Sequence, residues 1–259
     1  MAYSPDFRTY APSPAASAAA LDTGLRAYML RVYNWMCSGL ALTGIVAYVV
    51  ANTDLITLFY RQVQTQYGGY AVQPTGLGYL AIFAPLAFVM VLSFGINRLS
   101  RTATQGLFWL FAAAMGASIA NIFLIYSGAS IARVFFVTAA TFAAMSLYGY
   151  TTRSDLSRMG SFLMMGLIGV IIAMVVNIFL ASTVLQFAIS VIGVLVFVGL
   201  TAFDTQRIKA NYVQFAYAEG TDQAAKRSVY DALSLYLNFI NLFMLLLQIF
   251  GGSSRSSNS

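Results

Sequence analysis

The sequence predicts an all-α polytopic membrane protein with seven transmembrane helices, and three observations carry that prediction. Seven apolar runs fall near Tyr33–Asn52, Leu77–Ile96, Leu107–Tyr126, Ile131–Tyr150, Ser161–Ala181, Val184–Asp204 and Ala232–Phe250. Each has the length of about 20 residues that an α-helix needs to cross roughly 30 Å of hydrocarbon. Only 8% of the residues are charged and 59% are hydrophobic, whereas a soluble domain carries about 25% charged residues. The mean hydropathy is +0.76. The third observation is that the basic residues collect in alternate gaps between the runs.

That sorting predicts an orientation. Arg8, Arg26 and Arg31 precede span one, Arg98 and Arg101 follow span two, and Arg153 and Arg158 follow span four. Arg207, Lys209, Lys226 and Arg227 follow span six, so eleven of the 14 Lys and Arg residues share one side. Only Arg61, Arg133 and Arg255 lie on the other. The positive-inside rule places the crowded side, with the N-terminus, in the cytoplasm and the C-terminus outside. The net charge of +6 then reads as topology and contact with anionic headgroups. There is no basic soluble domain to carry nucleic acid. The bilayer is the expected partner, with room for a second membrane protein.

Residues 1–25 are expected to form a disordered cytoplasmic tail, 26–251 the seven-helix domain and 252–259 a flexible C-terminal tail. Met1–Ala20 is rich in Ser, Pro and Ala and lacks the apolar centre of a signal peptide. Thr53–Gly76, the one sizeable outer loop, reads as a short cap over the outer face or a mobile segment. The single cysteine, Cys37, lies in span one and rules out an intrachain disulfide. The absence of histidine removes His-based metal sites, Ser–His and Cys–His nucleophile pairs and histidine pH switches. An aspartyl protease needs two neighbouring carboxylates, and only Asp204 falls inside a run, with Asp231 at the edge of another. The chain is therefore expected not to be an enzyme and to need no cofactor.

The spans are organised as hairpins. The outer gaps near Ser127–Ser130 and Ser182–Thr183 are short enough to force antiparallel neighbours. Asn121-Ile-Phe-Leu ends span three and Asn177-Ile-Phe-Leu ends span five, a repeat that reads as a remnant of duplication or as chance in a biased composition. Ala112, Gly116 and Ala120 form a small-residue face for close helix approach, and Gly166, Gly169 and Gly193 read the same way.

Span seven carries a polar stripe. Asp231, Ser234, Asn238, Asn241 and Gln248 are spaced by three, four, three and seven residues, which puts them on one helix face. An unsatisfied amide in lipid costs a few kcal/mol, so the stripe must meet other helices or water. Interhelical hydrogen bonding and the wall of a polar path both satisfy it.

Span six ends Gly199-Leu-Thr-Ala-Phe-Asp204-Thr-Gln-Arg207-Ile-Lys209. Asp204 is placed about one turn inside the inner end, where low dielectric and a helix C-terminus both oppose its charge. Arg207, three residues on, answers locally, Arg98 answers from span two, and Asn238 reaches a similar depth. Ionisable residues in membranes usually mark ion or proton pathways. The alternative is that Asp204 snorkels into the headgroups beside Arg207 and Lys209.

These residues bring a family into view. Ser146-Leu-Tyr-Gly-Tyr-Thr-Thr-Arg-Ser-Asp-Leu-Ser157, Gly199-Leu-Thr-Ala-Phe-Asp-Thr-Gln206 and Leu233-Ser-Leu-Tyr-Leu-Asn-Phe-Ile-Asn-Leu-Phe243 resemble the Bax inhibitor family of transmembrane proteins, in order and across all seven spans. The resemblance implies hairpins packed around a central last helix and a pH-sensitive calcium leak channel. It further implies a proton-sharing pair of aspartates on helices six and seven beside an arginine on helix two. Asp204 matches the first aspartate and Arg98 is the candidate arginine.

This chain departs at the second aspartate: the family pattern Leu-Tyr-Leu-Asp-Phe stands here as Leu-Tyr-Leu-Asn238-Phe. Two close carboxylates share one proton, whereas an Asp–Asn pair holds none to share, and an amide N–H favours the charged carboxylate. The pH gate is then retuned or absent, or Asp231 supplies the missing charge; Asp231 reads equally as an N-terminal carboxylate complementing its helix dipole. Calcium enters as a permeant ion, with Asp204 its candidate ligand and Asn241 continuing the path. A non-conducting membrane interaction protein that regulates a membrane protease or stress response is the competing expectation, and a transporter coupled through Asp204 is the third.

Overall fold

The computed structural model describes residues 14–64, 70–95, 98–215 and 221–252. Helix α1 spans Pro14–Ala51 and leads through α2 (Ile56–Phe59) into a two-stranded hairpin, β1 (Tyr60–Gln64) and β2 (Tyr70–Pro74). Then follow α3 (Gly76–Gly95), α4 (Arg101–Ile119), α5 (Ile122–Ile125), α6 (Gly128–Thr151), α7 (Ser157–Leu180), α8 (Thr183–Phe215) and α9 (Thr221–Phe250). Seven of these helices are long and apolar enough to cross a membrane, as the hydropathy runs predict.

Turn chemistry fixes the hairpins. Ser127 accepts the Ser130 N–H at 3.3 Å and starts α6 directly after α5. Ala181 takes the left-handed conformation (φ 49°) that ends α7. The Asn177 side chain accepts the Ser182 N–H at 3.1 Å, and α8 begins one residue later. The two Asn-Ile-Phe-Leu segments thus do different work. Asn177 caps a turn and donates to Gln186, whereas Asn121 precedes α5 without a side-chain cap.

Helix α9 is the axis of the bundle. In its most apolar window 61% of residues are buried, against at most 33% in any other span. It packs on α8, α1, α6 and α4, while α3 lies outside against α4 and α7 outside against α8. Tyr236 is fully buried between Phe108 and Phe111. Thr43 donates to the Ala112 carbonyl at 2.8 Å, which leaves its oxygen to accept the Tyr236 hydroxyl at 2.7 Å. Phe239 meets Phe135 and Phe142 on the other flank. Ala112, Gly116 and Ala120 are buried, and a Cβ on Gly116 would lie 2.7 Å from the Thr43 carbonyl oxygen, so this face does set α4 against α1. Gly193 and Gly166 approach Leu245 and Val196, whereas Gly169 faces open space.

Three boundaries differ from the hydropathy reading. Helix α1 begins at Pro14, well before the apolar run that starts at Tyr33; residues 1–13 and 253–259 lie outside the described set. Helix α8 continues eleven residues past Asp204, and α9 starts ten residues before Asp231. These extensions are amphipathic turns whose polar residues lower hydropathy without breaking the helix. The outer loop forms the β1–β2 hairpin, secured where the Tyr60 hydroxyl donates to the Ser118 carbonyl at 2.5 Å.

Candidate functional site

The three sequence motifs converge on α8 around residues 202–206. Gly149 lets α6 approach so closely that a Cβ there would collide with the Ala202 carbonyl. Thr205 donates to the Thr201 carbonyl at 2.8 Å, so Ser146 must donate to Thr205 at 2.9 Å and Tyr33 to Ser146. Gln206 clamps the α6–α7 loop: its carbonyl accepts the Leu156 N–H and its amide donates to the Ser154 carbonyl, both at 2.8 Å. Lys209 donates to the Tyr150 carbonyl at 2.9 Å. In the same loop Asp155 accepts the Ser157 N–H at 2.9 Å. That hydrogen bonding, helped by Arg158, holds its carboxyl below the usual carboxylate range.

Asp204 turns inward from this scaffold and is only 5% exposed. One carboxylate oxygen pairs with Arg207 at 2.9 Å. The other accepts from Asn238 at 2.7 Å and from Ser234 at 3.0 Å. Arg207 also donates to Ser234 at 3.1 Å, which closes a ring of three side chains across the α8–α9 seam, with Asn238 attached at Asp204. The acid–amide juxtaposition expected from sequence is therefore present, and the snorkelling alternative is not. Because α8 runs on past Asp204, its C-terminal dipole does not bear on this acid; the charge is answered by Arg207 and by hydrogen bonds.

The other site candidates fall elsewhere. Asp231 lies inside α9, not at its start, so it does not complement the helix dipole. It accepts the Tyr28 hydroxyl at 2.6 Å and feels the charges of Arg207, Arg227 and Asp204. Arg98 does not join Asp204: it is exposed in the turn after α3, which packs on α4, away from α8. Asn241 is exposed, and its amide donates to its own helix at the Leu237 carbonyl, 2.8 Å away. Helices α4 and α8 make no substantial contact with each other. Along α9, Ser234, Leu237 and Met244 are partly exposed, and Asn241 and Gln248 are exposed. At the far end, Gln248 accepts from Gln186 at 2.7 Å and Ser190 at 2.8 Å, and Gln186 accepts from Asn177 at 3.0 Å.

Among the described residues no three His, Cys, Asp or Glu side chains come together to hold a metal. Asp204 is a single carboxylate with both oxygens engaged, whereas calcium takes six or more oxygen ligands. Ser234, Gln206 and Tyr28 escaped the sequence reading as site residues, although Gln206 adjoins Asp204 in its motif and Ser234 is one turn from Asn238.

A bundle of seven membrane-spanning helices around a polar-centred last helix defines a polytopic integral membrane protein. The chain belongs to the Bax inhibitor family: residues 25–255 match the family described as "Inhibitor of apoptosis-promoting Bax1". It is 47% identical to the inner membrane protein YbhL of Escherichia coli over 88% of this chain and 92% of that one. An uncharacterized protein of Caulobacter vibrioides is 44% identical over 95% and 97% of the two chains. Protein RP147 of Rickettsia prowazekii is 45% identical over 89% and 91%.

Proposed function

We propose that this protein is a cation-conducting, calcium-leak-type membrane protein of a bacterial inner membrane, oriented with its N-terminus in the cytoplasm. The observation that carries the reading is the buried Asp204, hydrogen-bonded by Asn238 and Ser234 and paired with Arg207, with Asn241 exposed one turn further along α9. A carboxylate inside a span is costly and usually marks an ion or proton pathway, and once freed from Arg207 it would concentrate cations beside it. The family resemblance supplies calcium as the ion, and the name of the Escherichia coli relative supplies the membrane. In the state described, Arg207 neutralises Asp204, so passage requires Arg207 to swing away towards the basic end, where its side chain is already 43% exposed.

Because Asn238 supplies an amide where the family pattern has an acid, no proton is shared across the pair. Conduction is then set by the Arg207–Asp204 contact and not by a titrating dyad. The test is calcium entry into liposomes carrying the purified protein. Wild type is expected to exceed protein-free liposomes and Asp204→Ala to fall by about tenfold, the scale of local counter-ion enrichment; equal flux in the two proteins rejects the reading. The complete pairing of Asp204 also favours a second reading, a non-conducting protein that binds and regulates a membrane partner. That reading requires wild-type liposomes to pass no calcium.

A further inference from the structure

The backbones of helices α1 and α6 stand apart, bridged by the Tyr33–Ser146 hydrogen bond, and Phe239 of α9 lines the gap between them. The gap is a groove of about 660 Å³, within the size range of about 300–1,000 Å³ usual for ligand sites. Its rim is formed by Leu30 and Leu147, which are strongly exposed on the outer surface of the bundle. From Arg26 to Ala41 the groove follows α1 over a rise of about 22 Å. That length matches the distance from headgroup level to mid-bilayer, half of about 40–45 Å.

The polarity of the groove runs one way. Its deep end is hydrocarbon: Leu40, Ala41, Phe135 and Ala139. The hydroxyls of Tyr33 and Ser146, nearer the mouth, are spent on each other and on Thr205. Lys209, beside Tyr150, is committed to the Tyr150 carbonyl. Arg26 lines the mouth, is exposed and makes no ion pair among the described residues, not even with Asp22 one turn away. A ligand satisfying this surface has an apolar chain and one anionic head, with the head at the basic end of the bundle.

We infer that the α1–α6 groove is a binding site for an anionic phospholipid, its acyl chain between the helices and its phosphate on Arg26. This inference is independent of conduction. Cys37, the only cysteine in the chain, lines the groove and is exposed, so it reports occupancy directly. The experiment measures the rate at which a small apolar maleimide modifies Cys37 in detergent micelles supplemented with phosphatidylglycerol or with phosphatidylcholine of the same chains. Phosphatidylglycerol is expected to slow modification about fivefold more than phosphatidylcholine, the effect of one basic residue on an anionic headgroup. High salt and Arg26→Gln should abolish the difference, and Arg26→Lys should retain it. Equal rates in the two lipids for wild type, or a difference that survives in Arg26→Gln, overturns the assignment.

Discussion

The two ends of the α8–α9 seam use the same helices to solve different problems. At one end the neutral Gln248 carbonyl accepts from Gln186 and Ser190. At the other the Asp204 carboxylate accepts from Asn238 and Ser234 and adds an ion pair with Arg207. The amide end shows that hydrogen-bonded packing of these helices needs no charge. Neutral interhelical bonds in membranes contribute about 0.6–2 kcal/mol each, whereas a charge brought into a span costs about 2.5–3.5 kcal/mol before it is answered. The acid at one end is therefore more than packing requires, and that surplus is what the proposed conduction rests on.

The largest break in the comparison comes from Asp204→Ala. It strands the buried Asn238 amide and releases Arg207, which turns to water because it is partly exposed. A stability loss of about 2–3 kcal/mol is expected in detergent unfolding, together with the loss of calcium flux. Gln248→Ala should cost about 1 kcal/mol by the same assay and leave flux nearly unchanged, since it removes packing without charge.

Asn238→Asp sharpens the difference instead. It places a second acid against Asp204, and two such groups share one proton. Flux should become pH-dependent between about pH 5 and 8, whereas wild type stays flat over that range. Wild-type flux that already varies with pH would return the titrating role to this site. Asn241→Leu is expected to change stability by less than about 0.5 kcal/mol, because the side chain bonds only its own helix. Flux measured on the same variant tests whether Asn241 belongs to the path.

The smallest effect lies outside the spans. The folded-state carboxyl of Asp155 is held low by Ser157. Its contribution is present above the unfolded carboxylate value of about 3.9 and is lost as pH falls through the folded one. Acid below about pH 4 should therefore raise amide exchange at Ser157, and Asp155→Asn should show the raised exchange at neutral pH.

Much of the frame was legible because lipid imposes simple rules. Runs of apolar residues marked all seven spans, the short gaps at Ser127 and Ser182 forced hairpins, and the spacing of Asp204, Asn238 and Ser234 put polar groups on facing helices. Hydropathy could not locate helix ends at Phe215 and Thr221, since it falls where a helix leaves lipid even though the backbone continues. The same blindness misplaced Asp231 at a helix start and Asp204 at a helix end. Arg98 was matched by motif position alone, and the packing of α3 on α4 takes it elsewhere. Contacts such as Tyr28 with Asp231, 203 residues apart, carry no local signature.

Calcium flux measured side by side in liposomes holding equal amounts of wild type, Asp204→Ala and Gln248→Ala tests the central claim most directly. The account predicts that wild type and Gln248→Ala conduct alike while Asp204→Ala falls towards protein-free liposomes. Equal losses in the two variants, or no loss in either, would show the charged end to be packing of the same kind as the neutral one.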